Sequence, residues 1–504
     1  MIDDVPARPA GTGLAQRITD VLAVDPGAPA IEFEGSWSTW GELADTARQA
    51  SALVDRPGAE VGIILRNRPA SIGFLLGVLS AGGCVVTINP GRGRDRTRND
   101  IASLDLGVLA GEADDLAELV PDGLRASTAA AAALGEPVTV RAGTARPPGA
   151  ASVERPETAV RMLTSGTTGP PKRIDLSSRM LERVLVGAKH YESNRDETVR
   201  LRRGVAIVNS PLVHLGGLFR VLQCVSDGRS FCLLERFSVE GWSDAVRRHR
   251  PATASLVPAA LRMVLDADLD TDDLSSVRSV VSGTAPLDPD DADAFTAKYG
   301  IPVLVTYAAT EFGGSVAGWN LDDHKNFWTA KRGSVGRAHA GCELRVVDAD
   351  SGAPVGPGAE GLLEVKARQL GNDAWVRTTD LARLDADGFL FILGRADQAI
   401  IRGGFKVRPD DIKAALERHP AVRGAAVVSR DDRRLGAVPV AVVEPRPGAD
   451  AVLTDDLLSY LTGVLARYEL PTEIHRMETL PRTESGKVDL VAVNAFLDSE
   501  SAVR

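Results

Sequence analysis

Apolar residues in the first part of the chain recur in two alternating patterns. Short apolar runs at Val61–Leu65, Cys84–Ile88 and Leu106–Leu109 are typical of strands buried on both faces. Between the first two, the stretch from Ser71 to Ala81 has the apolar face of a helix. Because parallel strands need crossover connections, residues 13–125 predict a parallel α/β sheet.

The same pattern returns in the middle of the chain. Apolar runs at 205–208, 231–234 and 277–281 predict buried strands. Ligands of open parallel sheets sit outside the carboxyl ends of the strands. The segments that begin at Ser282 and Tyr307 follow such ends, so we expect them to face one pocket.

The remaining segments differ in composition. Residues 126–153 are rich in Ala, Gly, Pro and Thr, which favours a loose connector. Short strands with Gly and Asp turns up to residue 393 indicate a small β-rich subdomain. The sequence therefore predicts an α/β fold in which an N-terminal domain, residues 1–396, contains two parallel-type sheets and this subdomain. Residues 397–504 predict a separate, mobile α+β lid.

Composition narrows the class of protein. The chain has 504 residues, 44% of them hydrophobic, and a net charge of −10 with both signs mixed throughout, which argues against a nucleic-acid-binding face. Its four cysteines lack metal-ligand spacing, so we expect buried thiols in a reducing compartment. The acidic N-terminus and the absence of a long apolar run predict a cytoplasmic protein without membrane attachment.

A glycine- and hydroxyl-rich stretch from Leu163 to Ile174 is the first candidate for chemistry. Gly166 and Gly169 permit tight turns that bring backbone N–H groups close to an anion. The other proposed phosphate-binding residues are Thr164, Ser165, Thr167, Thr168 and Lys172. The P-loop pattern is excluded because prolines precede the lysine and no hydroxyl follows it. A plain surface turn is the alternative interpretation.

Further motifs follow in a fixed order: Tyr307-Ala308-Ala309-Thr310-Glu311, Thr378-Thr379-Asp380, Gly394-Arg395-Ala396-Asp397, and the run from Leu480 to Lys487. In order and spacing, the set resembles the adenylate-forming superfamily of acyl-CoA synthetases, peptide-synthetase adenylation domains and firefly-type luciferases. The resemblance extends from about Trp40 to Leu490. It implies that ATP activates a carboxylic acid as acyl-AMP, after which the acyl group passes to coenzyme A.

The resemblance also implies roles for particular residues. Lys487 would bridge the acid carboxylate and the phosphate, because two approaching anions need a fixed positive charge. Glu311, next to Thr310, would bind Mg²⁺ together with Thr164. Asp380 and Arg395 would hold the ribose and phosphate. The remaining ATP-binding residues would be Gly283, Thr284, Ala285, Pro286, Tyr307, Ala308 and Ala309.

The lid would also take part in the second step. Asp397 is the expected hinge, about which the lid would swing to exchange the face that carries Lys487 for another. Gly403 and Gly404 would then line a tunnel for the pantetheine arm of coenzyme A. The sequence departs from the family pattern at several positions: Arg173, Ser177, Ser178, Ala308, Thr379 and Asp411. These departures indicate a divergent member.

For the acid, the resemblance places the acyl pocket between His214 and the strand after Tyr307. Gly216, Gly217, Gly313 and Gly314 are expected to leave room there, which favours a bulky hydrophobic acid. We see no acidic residue suited to an amino group. The expected partners are therefore the acid and coenzyme A, with the protein a monomer or homodimer.

Other functions stay open from the sequence. A stand-alone ligase that loads a carrier protein or an amine is the nearest alternative, although the chain contains no evident carrier domain. A luciferase-like oxygenase belongs to the same superfamily. From another class, the divergent loop is compatible with a silent nucleotide-binding sensor, but retention of Lys487, Glu311 and Asp380 argues against it.

Overall fold

The computed structural model describes residues 13–143, 155–163, 172–188, 199–449, 454–483 and 486–503. None of the helices in these ranges is both long and apolar enough to cross a membrane. The helices of the described chain are α1 (Leu14–Leu22), α2 (Trp40–Ser51), α3 (Pro69–Ser80), α4 (Arg94–Ser103), α5 (Ala113–Leu119), α6 (Ser178–Ala188), α7 (Leu215–Ser226), α8 (Val239–His249), α9 (Pro258–Asp266), α10 (Pro289–Tyr299), α11 (Leu321–Phe327), α12 (Pro409–Glu417), α13 (Thr454–Thr462) and α14 (Leu490–Val503).

The strands of the described chain form several sheets. In chain order they are β1 (Pro29–Phe33), β2 (Ser36–Thr39), β3 (Glu60–Ile64), β4 (Cys84–Ile88), β5 (Val108–Gly111), β6 (Ser127–Ala130), β7 (Thr139–Arg141), β8 (Thr158–Leu163), β9 (Arg173–Ser177), β10 (Arg202–Val208), β11 (Arg229–Leu233), β12 (Thr253–Ser255), β13 (Ser279–Ser282), β14 (Val303–Ala309), β15 (Gly314–Gly318), β16 (Arg337–Ala338), β17 (Cys342–Val347), β18 (Glu360–Ala367), β19 (Val376–Leu384), β20 (Leu390–Arg395), β21 (Ile400–Arg402), β22 (Phe405–Val407), β23 (Val422–Asp432), β24 (Gly436–Pro445) and β25 (Glu473–Arg476).

A seven-stranded sheet forms the first layer, in the order β7-β6-β5-β3-β4-β8-β9. Its inner strand pairs are parallel, whereas each of the two edge strands, β7 and β9, is antiparallel to the strand beside it. Helix α3 is apolar all round because it is buried between this sheet and α2. Gly77 makes that packing possible, since a Cβ there would lie 2.3 Å from the Ala47 carbonyl oxygen.

The other parallel strands divide into two smaller hydrogen-bonded sheets, in the orders β10-β11-β1-β2 and β12-β13-β14-β15-β16. They meet where β10 and β12 end, because the Asn209 amide donates to the Ser255 carbonyl at 3.0 Å. The sequence predicts two parallel-type sheets. The hydrogen-bonded strands instead form three separate sheets, and the two smaller sheets adjoin each other. The carboxyl ends of β10, β13 and β14 consequently open onto one cleft.

The α+β lid is built around β22-β21-β24-β23, with β25 beside β24. Alternate residues of β23 point to opposite faces: Ala425 and Val427 pack with α12 and α13, whereas Ala426 and Val428 pack with α14. Before the lid, β17 to β20 form the predicted β-rich subdomain as an antiparallel sheet. The predicted domain boundary falls in the short 3₁₀ turn Ala396–Gln398 between β20 and β21.

The prediction of a loose connector over residues 126–153 is wrong for its first part. Strand β6 pairs in parallel with β5, and β7 pairs with β6, so both extend the seven-stranded sheet. Apart from Thr128, the small residues of Ser127–Ala130 carry little intrinsic strand preference, and pairing with the edge of β5 decides their conformation. Residues 144–154 lie outside the described part of the chain.

The cysteines agree with the sequence prediction in most respects. All four are free thiols; Cys84, Cys224 and Cys232 are buried, whereas Cys342 is half-buried. Burial raises the pKa of Cys84 to about 12 and that of Cys232 to about 11. Such thiols are poor nucleophiles, which favours a packing role for these two residues.

Candidate active site

Three residues that are far apart in sequence meet at the floor of the cleft. Asp380 on β19 and Arg395 on β20 are direct cross-strand partners, so their side chains share one face of that sheet. The Tyr307 hydroxyl, from the end of β14, donates to Asp380 Oδ2. Burial and the Asp380 carboxylate raise the pKa of Tyr307, and burial raises the pKa of Asp380. The sequence-predicted ribose and adenine contacts therefore lie side by side.

Arg395 also links this group to the predicted hinge. Its guanidinium makes a bidentate ion pair with Asp397, at 2.9 Å to Oδ1 and 2.7 Å to Oδ2. The hydrogen bond from Arg395 lowers the pKa of Asp397 and raises that of Arg395. One guanidinium thus contacts the predicted hinge residue and lies beside the predicted nucleotide-binding carboxylate.

Lys487 reaches the same place from the lid. Burial, with the nearby Arg395 guanidinium, lowers the pKa of Lys487, and the carboxylates of Asp380 and Glu311 oppose that shift. A half-buried ammonium group with carboxylates close by is a fixed positive charge of the kind that two approaching anions require. The lid is therefore oriented with its Lys487 face toward the cleft.

The loop before Lys487 is held by the lid's own residues. Glu444, a buried carboxylate on β24, accepts the Leu480 N–H at 3.0 Å and pairs with Arg482 at 3.5 Å. The Thr483 N–H donates to the Lys487 carbonyl at 2.7 Å, which closes the turn. Gly486 has φ of +78° and lies against the N-terminal domain, where a Cβ would be 3.3 Å from Val257. This turn accounts for the glycine that precedes the lysine.

His214 lies in the cleft at the N-terminus of α7. Its Nε2 is buried and has no hydrogen-bond partner among the described residues. Burial, with a smaller contribution from the Lys487 ammonium, lowers the pKa of His214 to about 4. The imidazole is therefore neutral at physiological pH, and its nitrogen is available to a ligand.

This pKa gives a testable acid dependence. A histidine whose pKa falls from about 6.5 to about 4 on folding stabilises the fold above pH 6.5, and this contribution is lost as the pH falls toward 4. Between pH 7 and 4.5, we expect the wild type to lose about 2 to 3 kcal/mol more unfolding free energy than His214→Asn. Urea denaturation of both proteins at both pH values measures this difference. Equal losses would contradict the assignment.

The predicted adenine loop is conformationally strained. Thr284 has φ of +71°, a value that a β-branched residue rarely adopts, and it lines the cleft with Gly283, Ala285 and Pro286. Across the cleft, Thr310 and Glu311 form a 3₁₀ turn directly after β14, and the Glu311 side chain is exposed to the cleft. Ala308 and Ala309 also line the cleft. Strain of this kind is commonly retained where a backbone must meet a ligand.

Part of the predicted phosphate loop, Thr164 to Gly169, lies outside the described residues. Lys172, which follows it, is exposed and lines the cleft. Arg173, a departure from the family pattern, is explained by packing. Its guanidinium pairs with Asp100 at 2.7 Å and donates to the Thr87 carbonyl at 2.9 Å. Arg173 therefore anchors β9 to its neighbours rather than meeting a ligand.

The structure corrects the expectation that four glycines open the acyl pocket. Gly216 alone adjoins open space, because a Cβ there meets no atom within 4 Å. A Cβ on Gly217 would lie 2.2 Å from the Pro211 carbonyl oxygen, so this glycine permits a close backbone approach. At Gly313 and Gly314 the space is filled by α6, with Met180 Sδ at 2.3 Å and Val184 Cγ1 at 3.2 Å from the added Cβ.

The glycines assigned to a pantetheine tunnel lie elsewhere in this arrangement. Gly403 and Gly404 form the turn between β21 and β22, with φ of +57° and +89°. Neither is among the described residues that line the cleft. Their predicted contact with coenzyme A requires a different lid orientation.

Sequence reasoning missed the residues that hold the lid in place. Arg262 on α9 pairs with Asp291 and reaches Glu417 of the lid at 3.5 Å. Arg423 of the lid pairs with Asp266 at 3.4 Å. These ion pairs belong to no motif, and only the folded contact between domains reveals them.

The donor set of the cleft fits a magnesium-bound triphosphate. Arg395 and Lys487 would supply positive charge to a phosphate group, and the exposed Glu311 carboxylate offers hard oxygen atoms of the kind Mg²⁺ prefers. The Ser282 hydroxyl, at the end of β13, is buried without a partner among the described residues. The arrangement accordingly combines cations, an exposed carboxylate and an aromatic ring at one cleft.

Comparison with known proteins identifies the family. The family model described as AMP-binding enzyme matches residues 18–372, and the one for the AMP-binding enzyme C-terminal domain matches residues 411–487. The chain belongs to the AMP-binding enzyme family. The second match covers the lid up to and including Lys487.

Curated relatives of this AMP-binding enzyme are CoA ligases by name. Indoleacetate–CoA ligase from Aromatoleum aromaticum is 33% identical over 358 residues, which are 66% of this chain and 68% of that protein. The 4-coumarate–CoA ligase 3 of Oryza sativa subsp. japonica is 27% identical over 489 residues, 90% of this chain and 86% of that protein. The second match extends through both domains.

The fold is also shared with solved structures. ATP-bound MatB from Rhodopseudomonas palustris superimposes with a TM-score of 0.79 at 23% identity, covering 96% of this chain and 99% of that one. At this identity the similarity establishes the fold alone. The large α/β domain followed by a smaller C-terminal domain is therefore the architecture of the AMP-binding enzymes.

Proposed function

We propose that this AMP-binding enzyme is an ATP-dependent acyl-CoA synthetase. The carboxylate of the acid would attack the α-phosphorus of ATP, forming acyl-AMP and releasing pyrophosphate. The thiol of coenzyme A would then attack the acyl carbon and release AMP. The observation that carries the proposal is the convergence of Lys487, Glu311, Asp380 and Arg395 at one cleft, although they come from separate segments and both domains.

Each of these residues would have a distinct task. The Lys487 ammonium would lie between the two approaching anions and offset their repulsion. Asp380 would accept hydrogen bonds from the ribose hydroxyls, while the Arg395 guanidinium would bind phosphate oxygens. Glu311 would hold Mg²⁺, which would neutralise phosphate charge. Tyr307 would stack on the adenine, with its hydroxyl fixed by Asp380.

We propose that the acid has an apolar body. Leu215, Gly216 and Phe219 of α7 line the cleft beside His214, and Val184 of α6 lines it as well. Because α6 fills the space beside Gly313 and Gly314, the pocket is narrower than the sequence indicates. The relatives act by name on indoleacetate and 4-coumarate, so an acid with one or two rings is the first class to test.

The experiment is product analysis by mass spectrometry. Purified protein with ATP, Mg²⁺ and a panel of carboxylic acids, incubated with coenzyme A, is expected to yield acyl-CoA and AMP. Chelation of Mg²⁺ is expected to stop both products. Acyl-AMP that accumulates unchanged in the presence of coenzyme A would instead favour a carrier protein or an amine as acceptor. No acyl-AMP from any acid would refute the proposal.

A further inference from the structure

One helix of the N-terminal domain, α9, contacts the lid at several points along its length. Its docking face consists of three residues, each with a contact in the lid: Val257 against Gly486, Arg262 against Glu417, and Asp266 against Arg423. A helix rises about 1.5 Å per residue, so contacts at both ends of α9 fix the direction of the lid as well as its position.

Asp266 occupies a position that is unfavourable for a carboxylate within its own helix. It is the last residue of α9, and the free carbonyl groups at a helix C-terminus repel negative charge. Its ion pair with Arg423 of the lid, at 3.4 Å, offsets this repulsion. Contact with the lid, rather than the stability of α9, therefore accounts for the aspartate.

Arg423 is directed toward α9 by an irregularity in its strand. The register of β23 on β24 shifts between Val422 and Gly424, so Arg423 is the additional residue of a β-bulge, and bulges change the direction of a side chain. Its guanidinium lies 3.4 Å from Asp266 and 3.2 Å from Glu444. The same Glu444 carboxylate holds the loop before the lid lysine. A chain of ion pairs therefore connects α9 to that loop.

Arg262 is the half-buried cation of the docking face. It pairs with Asp291 of α10 and with Glu417 of the lid. Burial would lower the pKa of Arg262, but the carboxylates of Glu417 and Asp291 outweigh burial and raise it. Within the lid, Glu417 has a more distant cation, Lys413, at 4.0 Å. Turning the lid away from α9 therefore takes one carboxylate from a half-buried guanidinium, which costs free energy in that orientation alone.

We propose that Arg262 and Asp266 are positioning residues for acyl-AMP formation, because their ion pairs with the lid select the orientation that presents Lys487 to the cleft. This inference rests on the proposed function and deepens it. Since these ion pairs exist in one orientation only, their loss shifts the population toward the other by their differential free energy. The ratio of the acyl-AMP rate to the thioester rate then falls, although Asp266 is not among the described residues that line the cleft.

The test combines Asp266→Asn with Glu417→Gln, which removes one charge from each ion pair. Glutamine retains the oxygen that accepts the Ala425 N–H at 3.1 Å, and asparagine relieves the unfavourable charge at the end of α9, so the fold is expected to persist. ATP–pyrophosphate exchange relative to thioester formation from prepared acyl-AMP is expected to fall about 5- to 10-fold. Thioester formation itself is expected to stay equal or rise, which a merely damaged fold would not produce.

Two control variants separate lid positioning from a general effect of charge. Asp268→Asn removes an exposed carboxylate that pairs with Lys298 of the same domain at 2.6 Å, and it should keep the wild-type ratio. Asp266→Glu keeps the charge and should restore most of the ratio that Asp266→Asn loses. An unchanged ratio in the double variant, or an equal loss in both half-reactions, overturns the inference.

Cross-linking reports the lid orientation without turnover. In the combined variant Asp266→Cys and Arg423→Cys, a short bis-maleimide is expected to join the two introduced thiols, and mass spectrometry of the linked peptides measures the yield. Adding Glu417→Gln should lower this yield by at least about twofold, because the remaining ion pair is lost. Failure to cross-link in the folded protein, or a yield that is independent of Glu417, overturns the inference. The expected yields in a protein that makes no acyl-AMP would support the docking face and refute the synthetase instead.

Discussion

Replacement of Lys487 by alanine is expected to reduce acyl-AMP formation by at least about 100-fold, as loss of a group that stabilises developing charge does in other enzymes. The carboxylate and the α-phosphate are both anionic, and Lys487 is a lid residue that brings a half-buried ammonium group beside Asp380 and Glu311. ATP–pyrophosphate exchange with the best acid measures this step in isolation.

The second half-reaction provides the internal control. Thioester formation from chemically prepared acyl-AMP and coenzyme A is expected to change by less than about threefold in Lys487→Ala, because an interaction absent from that transition state contributes nothing to its rate. Lys325→Ala, which removes an exposed lysine on α11 outside the cleft, is the matched variant and should retain both steps. Equal losses in the two half-reactions would remove Lys487 from its proposed role.

Local sequence was sufficient to find the residues of this site because each belongs to a motif with its own chemistry. Asp380 and Arg395 lie in separate motifs, and the structure brings them together as cross-strand partners on β19 and β20. The strands β4 and β10 were likewise predicted from continuous apolar runs, which the buried sheets require. Features that depend on consecutive residues, such as a short motif or a buried strand, can be predicted from the sequence alone.

What could not be predicted depends on contacts between distant segments. Gly313 and Gly314 look like open space in sequence, yet Met180 and Val184 of α6 occupy it. Arg173 looks like a defect in a phosphate loop, although its partners Asp100 and Thr87 lie on other elements. The structural role of such a glycine or polar residue depends on the neighbour that the fold places beside it.

The lid has a second face that this orientation leaves uncovered. Ile401 and Phe405 on β21 and β22 are 54% and 55% exposed, and the Phe405 ring stacks on Tyr468 at 4.8 Å. Gly403 and Gly404 lie in the turn between these strands. An exposed apolar surface on one domain of a two-domain enzyme is a candidate for burial in another arrangement. We therefore expect the lid to turn this face toward the cleft for the second half-reaction.

Replacing the proposed hinge residue by proline, Asp397→Pro, is expected to separate the two half-reactions in the sense opposite to Lys487→Ala. Proline fixes φ near −65° and removes the N–H, so the turn Ala396–Gln398 can no longer rotate freely. Because the lid already presents Lys487 to the cleft, acyl-AMP formation should fall by less than about tenfold. Thioester formation from prepared acyl-AMP should fall by at least about 100-fold.

The Asp397 carboxylate has to be distinguished from the backbone freedom of residue 397, because its ion pair with Arg395 is also lost in the proline variant. Asp397→Ala removes the same ion pair and leaves φ free, so it is expected to retain thioester formation to a much greater extent than Asp397→Pro. If the two variants lose thioester formation equally, the ion pair rather than rotation controls the second step. If Asp397→Pro retains both half-reactions, a single lid orientation serves both steps, and the exposed face around Phe405 has no part in the reaction.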